Sequence, residues 1–196
     1  MKTKDRLILE AFKLFCSKPY DQVTFSDLEK VTGLSRGAVL YHFSAKENIF
    51  FQVIDTYIFA THSIASIPTH ERQNLFSFII SFIDKVKKEK QKMNELGLDN
   101  MNLALLTIEA SAFTFYPDMQ NKANDWLKKE ENIWKEVIDN AIANQEIKNI
   151  DKDILSKLFQ KIYLGCSYIS ATLPKGIDLD SLKDDFMFLY SAIKSN

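Results

Sequence analysis

The sequence predicts an all-α fold, a cluster of three short helices followed by a body of longer ones, and three observations carry that expectation. Apolar residues recur at three- and four-residue spacing along nearly the whole chain, as in helices with one buried face. Each of the four prolines, Pro19, Pro68, Pro117 and Pro174, falls between two such periodic stretches, because proline lacks an amide proton and clashes with the preceding helical turn. No alternating apolar run bounded by turn residues suggests a strand. Helices are placed at 3–17, 25–31, 36–42, 45–66, 71–93, 102–116, 119–145, 152–173 and 179–194.

The first helix sets Ile8, Ala11, Phe12 and Phe15 against an outward face of Arg6, Glu10 and Lys13. The second starts at one of two overlapping caps, Thr24 with Asp27 or Ser26 with Glu29. It buries Phe25, Leu28 and Val31 and stops at Gly33, a residue suited to a left-handed cap. Ser35 caps the third helix, which turns Val39 and Phe43 inward. A further capping pair, Ser44 with Glu47, opens a long fourth helix whose Phe50, Val53, Ile54 and Tyr57 face the core. Helix, short glycine-containing turn and helix make a helix-turn-helix, so residues 1–46 are read as a DNA-binding domain and 47–196 as a second, helical domain.

Gly37 lies inside the third helix, where it costs about 1 kcal/mol relative to alanine. A backbone that must be approached closely, as at the tip of a recognition helix in a major groove, gives it a reason. Around it stand Arg36, able to reach a guanine edge or a phosphate, and Tyr41, His42 and Lys46 as phosphate donors. Thr24, Ser35 and Ala38 complete the candidate DNA-contacting set. Charge agrees with this placement. Residues 1–46 carry eight basic and five acidic side chains, a net +3, while the whole chain is at −1, which leaves −4 on the remainder.

From about Asp5 to Phe50 the sequence resembles the N-terminal domain of the tetracycline-repressor family of bacterial transcriptional regulators. The family pattern runs close to T-x-x-D-I-A-x-x-A-G-V-S-x-G-T-L-Y-Y-H-F-x-x-K-E, and here the ungapped stretch from Thr24 to Glu47 reads TFSDLEKVTGLSRGAVLYHFSAKE. Ala38 stands where a threonine is usual and Leu40 where the first of two tyrosines is common, which removes a hydroxyl contact and one phosphate donor. The resemblance implies a regulator, most often a repressor, that binds double-stranded palindromic operator DNA as a homodimer and is released by a small effector held in the domain from residue 47 onward.

That second domain is read from its own residues. Met101 to Tyr116 holds one charge, Glu109, and a helix apolar nearly all round is expected to be buried on every side. Aromatic residues crowd the neighbouring helices. They describe either a packed core or an apolar cavity with a polar anchor, lined by Phe82, Glu109, Phe113, Trp134 and Tyr163. For the last two helices, the family architecture implies a four-helix interface with a two-fold mate. Ile162, Gly165, Cys166 and Ile169 would supply one stripe, and Phe186, Leu189 and Tyr190 the other.

Other classes find little support. Three histidines, His42, His62 and His70, have no metal-ligand spacing, and no phosphate loop or nucleophile elbow occurs, so neither enzyme, metal nor cofactor is expected. No uncharged apolar run is long enough for a membrane span, the N-terminus lacks the features of a signal peptide, and Cys16 and Cys166 read as cytosolic thiols, so the cytoplasm is the expected compartment. The alternative function keeps the DNA-binding head and gives the body a protein partner instead of a small molecule.

Overall fold

Leu7, Ile8, Ala11, Phe12, Phe15 and Cys16 share one face of a helix spanning Thr3–Ser17 (α1), and all six are buried. The structure, a computed structural model, describes residues 3–60 and 63–195. Among these residues the chain forms no strand. Its other α-helices are α2 (Phe25–Thr32), α3 (Arg36–His42), α4 (Lys46–Val53), α5 (Leu75–Glu95), α6 (Met101–Phe115), α7 (Met119–Ala143), α8 (Lys152–Ser170) and α9 (Leu179–Ile193).

Packing divides the chain into two compact units, Met1–His62 with Leu103–Lys122, and Ser63–Asn102 with Ala123–Asn196. This division does not follow the 46/47 boundary drawn from the sequence. Helix α1 packs on both α2 and α4, and most of α6 returns to the N-terminal unit. There the rings of Phe15, Tyr20 and Phe50 meet, and Phe12 stacks on Tyr57 at 4.2 Å. Ser111 Oγ of α6 accepts from the Tyr20 backbone amide at 3.2 Å, and the Phe115 ring lies 4.8 Å from that of Tyr20. At the end of α6, the Tyr116 hydroxyl donates to Asp55 (2.5 Å) and accepts from Lys122.

Two expectations fail here. The fourth helix does not run from 45 to 66. After Val53 the backbone widens into a π-helical stretch over Ile54–Phe59, residues 61 and 62 lie outside the described residues, and Ile64–Ser66 is a short 3-10 turn. Its start is also uncapped by Ser44: Ala45 holds the capping position, and Ser44 Oγ accepts from Asn48 instead. Nor is α6 buried all round. Met101, Ala104, Ile108, Ser111 and Ala112 are covered, while Leu103, Leu106 and Phe113 stay open to solvent, Phe113 by 53%. A helix with apolar side chains on every face carries no stripe to distinguish inside from outside, and its neighbours in one chain cover only one side.

In the second unit, α5, α7, α8 and α9 enclose an aromatic core. Trp134 stacks on Phe159, Phe78 meets Trp134 edge-on, and Phe82 meets Tyr163 edge-on, each pair with centroids 4.9 Å apart. The linker before α5 is tied to α7 by polar side chains. Buried Glu130 accepts from Ser63 Oγ (2.6 Å) and the Ile64 amide (2.9 Å), and Glu146 accepts from the first two amides of α5. Between α8 and α9, Asn100 donates to the Ala171 and Leu173 carbonyls, and Asn102 Oδ1 accepts from the Ile177 amide. Gly176 sits under these two asparagines with φ of +65°, a conformation that suits a residue with no side chain.

Candidate nucleic-acid interface

The expected cap of α2 forms in full. Thr24 Oγ1 accepts from the Asp27 amide, and the Asp27 carboxylate accepts from the Thr24 amide at 2.8 Å. These bonds, with the Thr24 hydroxyl and the Lys18 ammonium at 3.0 Å, hold the Asp27 carboxyl down at about 2. The competing Ser26–Glu29 box is absent. Phase along α2 also differs by a residue: Leu28 and Thr32 face inward while Val31 is exposed. Gly33 closes the helix with φ of 67°, and Arg6 of α1 donates to the Thr32 carbonyl at 2.9 Å. Three residues, Gly33 to Ser35, then turn the chain into α3, where Ser35 Oγ accepts from the Ala38 amide.

Helix α3 buries Val39, rests Phe43 at its end, and leaves its other side open. Arg36 and Gly37 are exposed, and a side chain placed at Gly37 would meet nothing within 4 Å. No internal packing therefore requires a glycine there. Ala38 is half-buried beside them, Tyr41 projects with 85% of its surface accessible, and half-buried His42 lies edge-on to it at 5.3 Å. Arg36, Gly37, Tyr41 and His42 thus share one accessible surface, with Thr24 and Ser35 at its exposed helix starts.

Lys46 does not join them. Its ammonium donates to the carbonyls of Tyr20 (2.9 Å) and Val23 (2.8 Å) and lies 4.1 Å from the centre of the Tyr20 ring. Partial burial lowers its pKa, the expected direction for a cation removed from water. The lysine closes the turn between α1 and α2 and is not a free phosphate donor. Its placement at a helix start does not reveal this, because the two carbonyls, of which Tyr20's also accepts from the Val23 amide, lie more than twenty residues earlier in the chain.

Residues 7–53 match the model of the tetR family of bacterial regulatory proteins. That match spans the helix-turn-helix region, about a quarter of the chain. Among curated relatives, the chain is 26% identical over 94 residues to IcaR of Staphylococcus aureus, a negative transcriptional regulator of a biofilm operon. That match covers 46% of this chain, and the chain spans about half (50%) of that relative's length. It is 33% identical over 55 residues to the transcriptional regulator QacR of the same organism, covering 28% of this chain and 29% of QacR. Across almost the whole chain the fold is that of a tetR-family transcriptional regulator from Cytophaga hutchinsonii, with a TM-score of 0.74, 16% identity, and 99% and 96% of the two chains covered. PfmR, a tetR-family regulator from Thermus thermophilus, gives 0.70 at 15% identity over 100% of both chains. The family is one of regulatory proteins, not of enzymes.

Beyond the matched residues 7–53, the expected effector residues are not gathered in one packed unit. Phe82, Trp134 and Tyr163 belong to the second, where their rings lie against one another and against Phe159 and Phe186. They fill the space they were expected to line. Glu109 and Phe113 are on α6 in the first unit. Glu109 is half-buried, and its charge adds to the burial that raises the Cys16 thiol. A buried carboxylate does exist in the second unit, but it is Glu130, whose pKa is raised by burial against the pull of its two donors. It lies in a charged run, KKEEN, whose composition does not distinguish it from its neighbours. A groove of about 840 Å³ beside the α8–α9 turn is lined by Lys87, Lys90, Lys175, Gly176 and Asp178 among others, and by none of the five expected residues.

The expected dimer residues also divide. Ile162 and Cys166 are half-buried, and Gly165 and Ile169 are exposed on α8, with nothing within 4 Å of a side chain added at Gly165. Leu189 is half-buried. Phe186 and Tyr190 are corrected to the protomer's own core, against Trp134 and Phe76 respectively, and the exposed apolar residue of α9 is Phe188 at 80%. Both Phe186 and Phe188 fit a helical pattern, and only the neighbouring helices settle which turns inward. Cys166 donates to Asp185 at 3.4 Å, and burial together with that carboxylate pushes its thiol up to about 11. Of the histidines, His42 and His70 are on separate turns and His62 lies outside the described residues.

Proposed function

We propose that this chain is a cytoplasmic transcriptional repressor that binds a palindromic operator as a homodimer and is released by a small, largely apolar effector. The observation that carries the DNA-binding part is the open side of α3. Gly37 faces empty space between Arg36 and Tyr41, so a duplex can meet backbone there while the flanks take phosphates and base edges. The test is selection of binding sites from random double-stranded DNA. A two-fold symmetric consensus, with half-sites about one helical turn or a multiple apart, supports the proposal, and enrichment of no sequence refutes it.

Dimerisation is supported by the stripe Ile154, Leu158, Ile162, Gly165 and Ile169, which recurs at helical spacing along the outward side of α8. For the effector, the supported place is the open side of α6, where Leu106, Glu109 and Phe113 lie at helical spacing. The same helix holds Tyr20 of the head through Ser111 and Phe115, so a ligand that tilts α6 displaces the turn before α2. A hundredfold loss of DNA affinity needs about 3 kcal/mol of differential binding, and by linkage DNA weakens the ligand equally. Fluorescence of Trp126 and Trp134 across a panel of apolar compounds, with and without the selected duplex, measures both. Compounds that bind with the same affinity in both cases sink the coupling. A protein partner is the second reading, favoured by the same exposed side chains, and it gains ground if no compound in the panel alters DNA affinity.

A further inference from the structure

Arg36 is held from two sides by one helix. Its backbone amide donates to Glu29 Oε1 at 2.5 Å, and its guanidinium carbon lies 4.9 Å from the centre of the Phe25 ring. Phe25 and Glu29 are one turn apart on α2 and so present neighbouring side chains to the start of α3. Their two contacts act on different parts of the arginine. The carboxylate fixes where the chain of α3 begins, and the ring restricts where the guanidinium travels.

We propose that Phe25 and Glu29 are positioning residues for DNA specificity, holding Arg36 as a preorganised reader of a guanine edge. This inference rests on the DNA-binding reading above. An arginine without such support loses much of its rotamer freedom when it docks, and a flexible arginine serves a phosphate well, since phosphate oxygens accept from many directions. The N7 and O6 of guanine accept only from a fork aligned in the base plane, so fixing the arginine favours base reading over phosphate binding. The carboxylate also occupies the first amide of α3, so that amide is not left to hold a phosphate.

The experiment uses the full-length protein and duplexes selected by the wild type. Each guanine of the consensus is replaced in turn by 7-deazaguanine, which removes N7. One position is expected to lose about tenfold in affinity for the wild type and nothing for Arg36→Ala. Phe25→Ala and Glu29→Ala are expected to shrink that penalty to under threefold with the salt dependence of binding unchanged. Phe25→Tyr keeps the ring and Glu29→Gln keeps the accepting oxygen, and both are expected to retain the full penalty. A merely structural role would lower affinity on all duplexes alike and would leave the penalty intact. Retention of the full penalty in both alanine variants overturns the role of α2. An Arg36→Ala variant whose salt dependence falls by about one unit places the arginine on phosphate and overturns the proposal as well. A wild type that enriches no sequence fails earlier, taking the DNA-binding reading with it.

Discussion

The ammonium of Lys46 sits between two carbonyls and above a ring, so its loss removes the donor from the buried Val23 carbonyl and one of the two donors from that of Tyr20. Lys46→Met is expected to destabilise the N-terminal unit by about 2 kcal/mol while leaving the salt dependence of DNA binding unchanged. Urea denaturation and a salt series measure the two independently, and a slope reduced by about one unit would return Lys46 to the DNA surface. Asp27 carries a pH prediction. Its carboxyl is held at about 2 in the folded chain against an ordinary value of 3.8, so its stabilising contribution is present above about pH 4 and lost as pH falls through about 2. Asp27→Asn is expected to remove this part of the acid-stability profile in thermal melts between pH 2 and 5. An unchanged profile would mean that the cap bonds do not form in solution.

Among the elements, the α8–α9 turn depends on one glycine and two asparagines. A side-chain carbon at Gly176 would lie 2.9 Å from Asn102 Oδ1 and 3.0 Å from Asn100 Oδ1, in a backbone conformation already unfavourable for other residues. Gly176→Ala is therefore expected to cost about 2 kcal/mol or more. A melting temperature within one degree of wild type would show that the asparagines yield freely. Gly37→Ala and Gly165→Ala make the control: both positions face open space within helices, and both substitutions are expected to raise stability slightly. Three glycine substitutions of equal effect would contradict the distinction.

For the whole molecule, burial separates residues that hold the single chain together from those left open to the proposed mate. Phe186→Ala empties a site between Trp134 and Phe159 and is expected to cost about 3–5 kcal/mol. Gly165→Arg adds a side chain to open space on α8, so it is expected to leave protomer stability intact and yield monomers by light scattering. A wild type that is itself monomeric at micromolar concentration overturns the dimer. A Gly165→Arg variant that remains dimeric overturns the placement of the interface on α8.

What the sequence determined by itself is what local chemistry determines. Among the described residues, the nine α-helices and their order follow from periodicity and prolines. The Thr24–Asp27 cap, the Gly33 stop and the inward Val39 and Phe43 follow from interactions spanning four residues or fewer. The exposure of Arg36, Gly37 and Tyr41 was legible for the same reason, on a short helix whose inward residue is Val39. Tertiary structure decided every question in which residues far apart compete for a partner. Lys46 turned to carbonyls more than twenty residues away, and Glu29 passed over its own helix start to cap the next. Phe82, Trp134 and Tyr163 closed on one another instead of around a cavity, and α6 hid one apolar face while leaving another open. A helical pattern states which residues share a side, but the identity and distance of what lies against that side come only from the packing of the other helices.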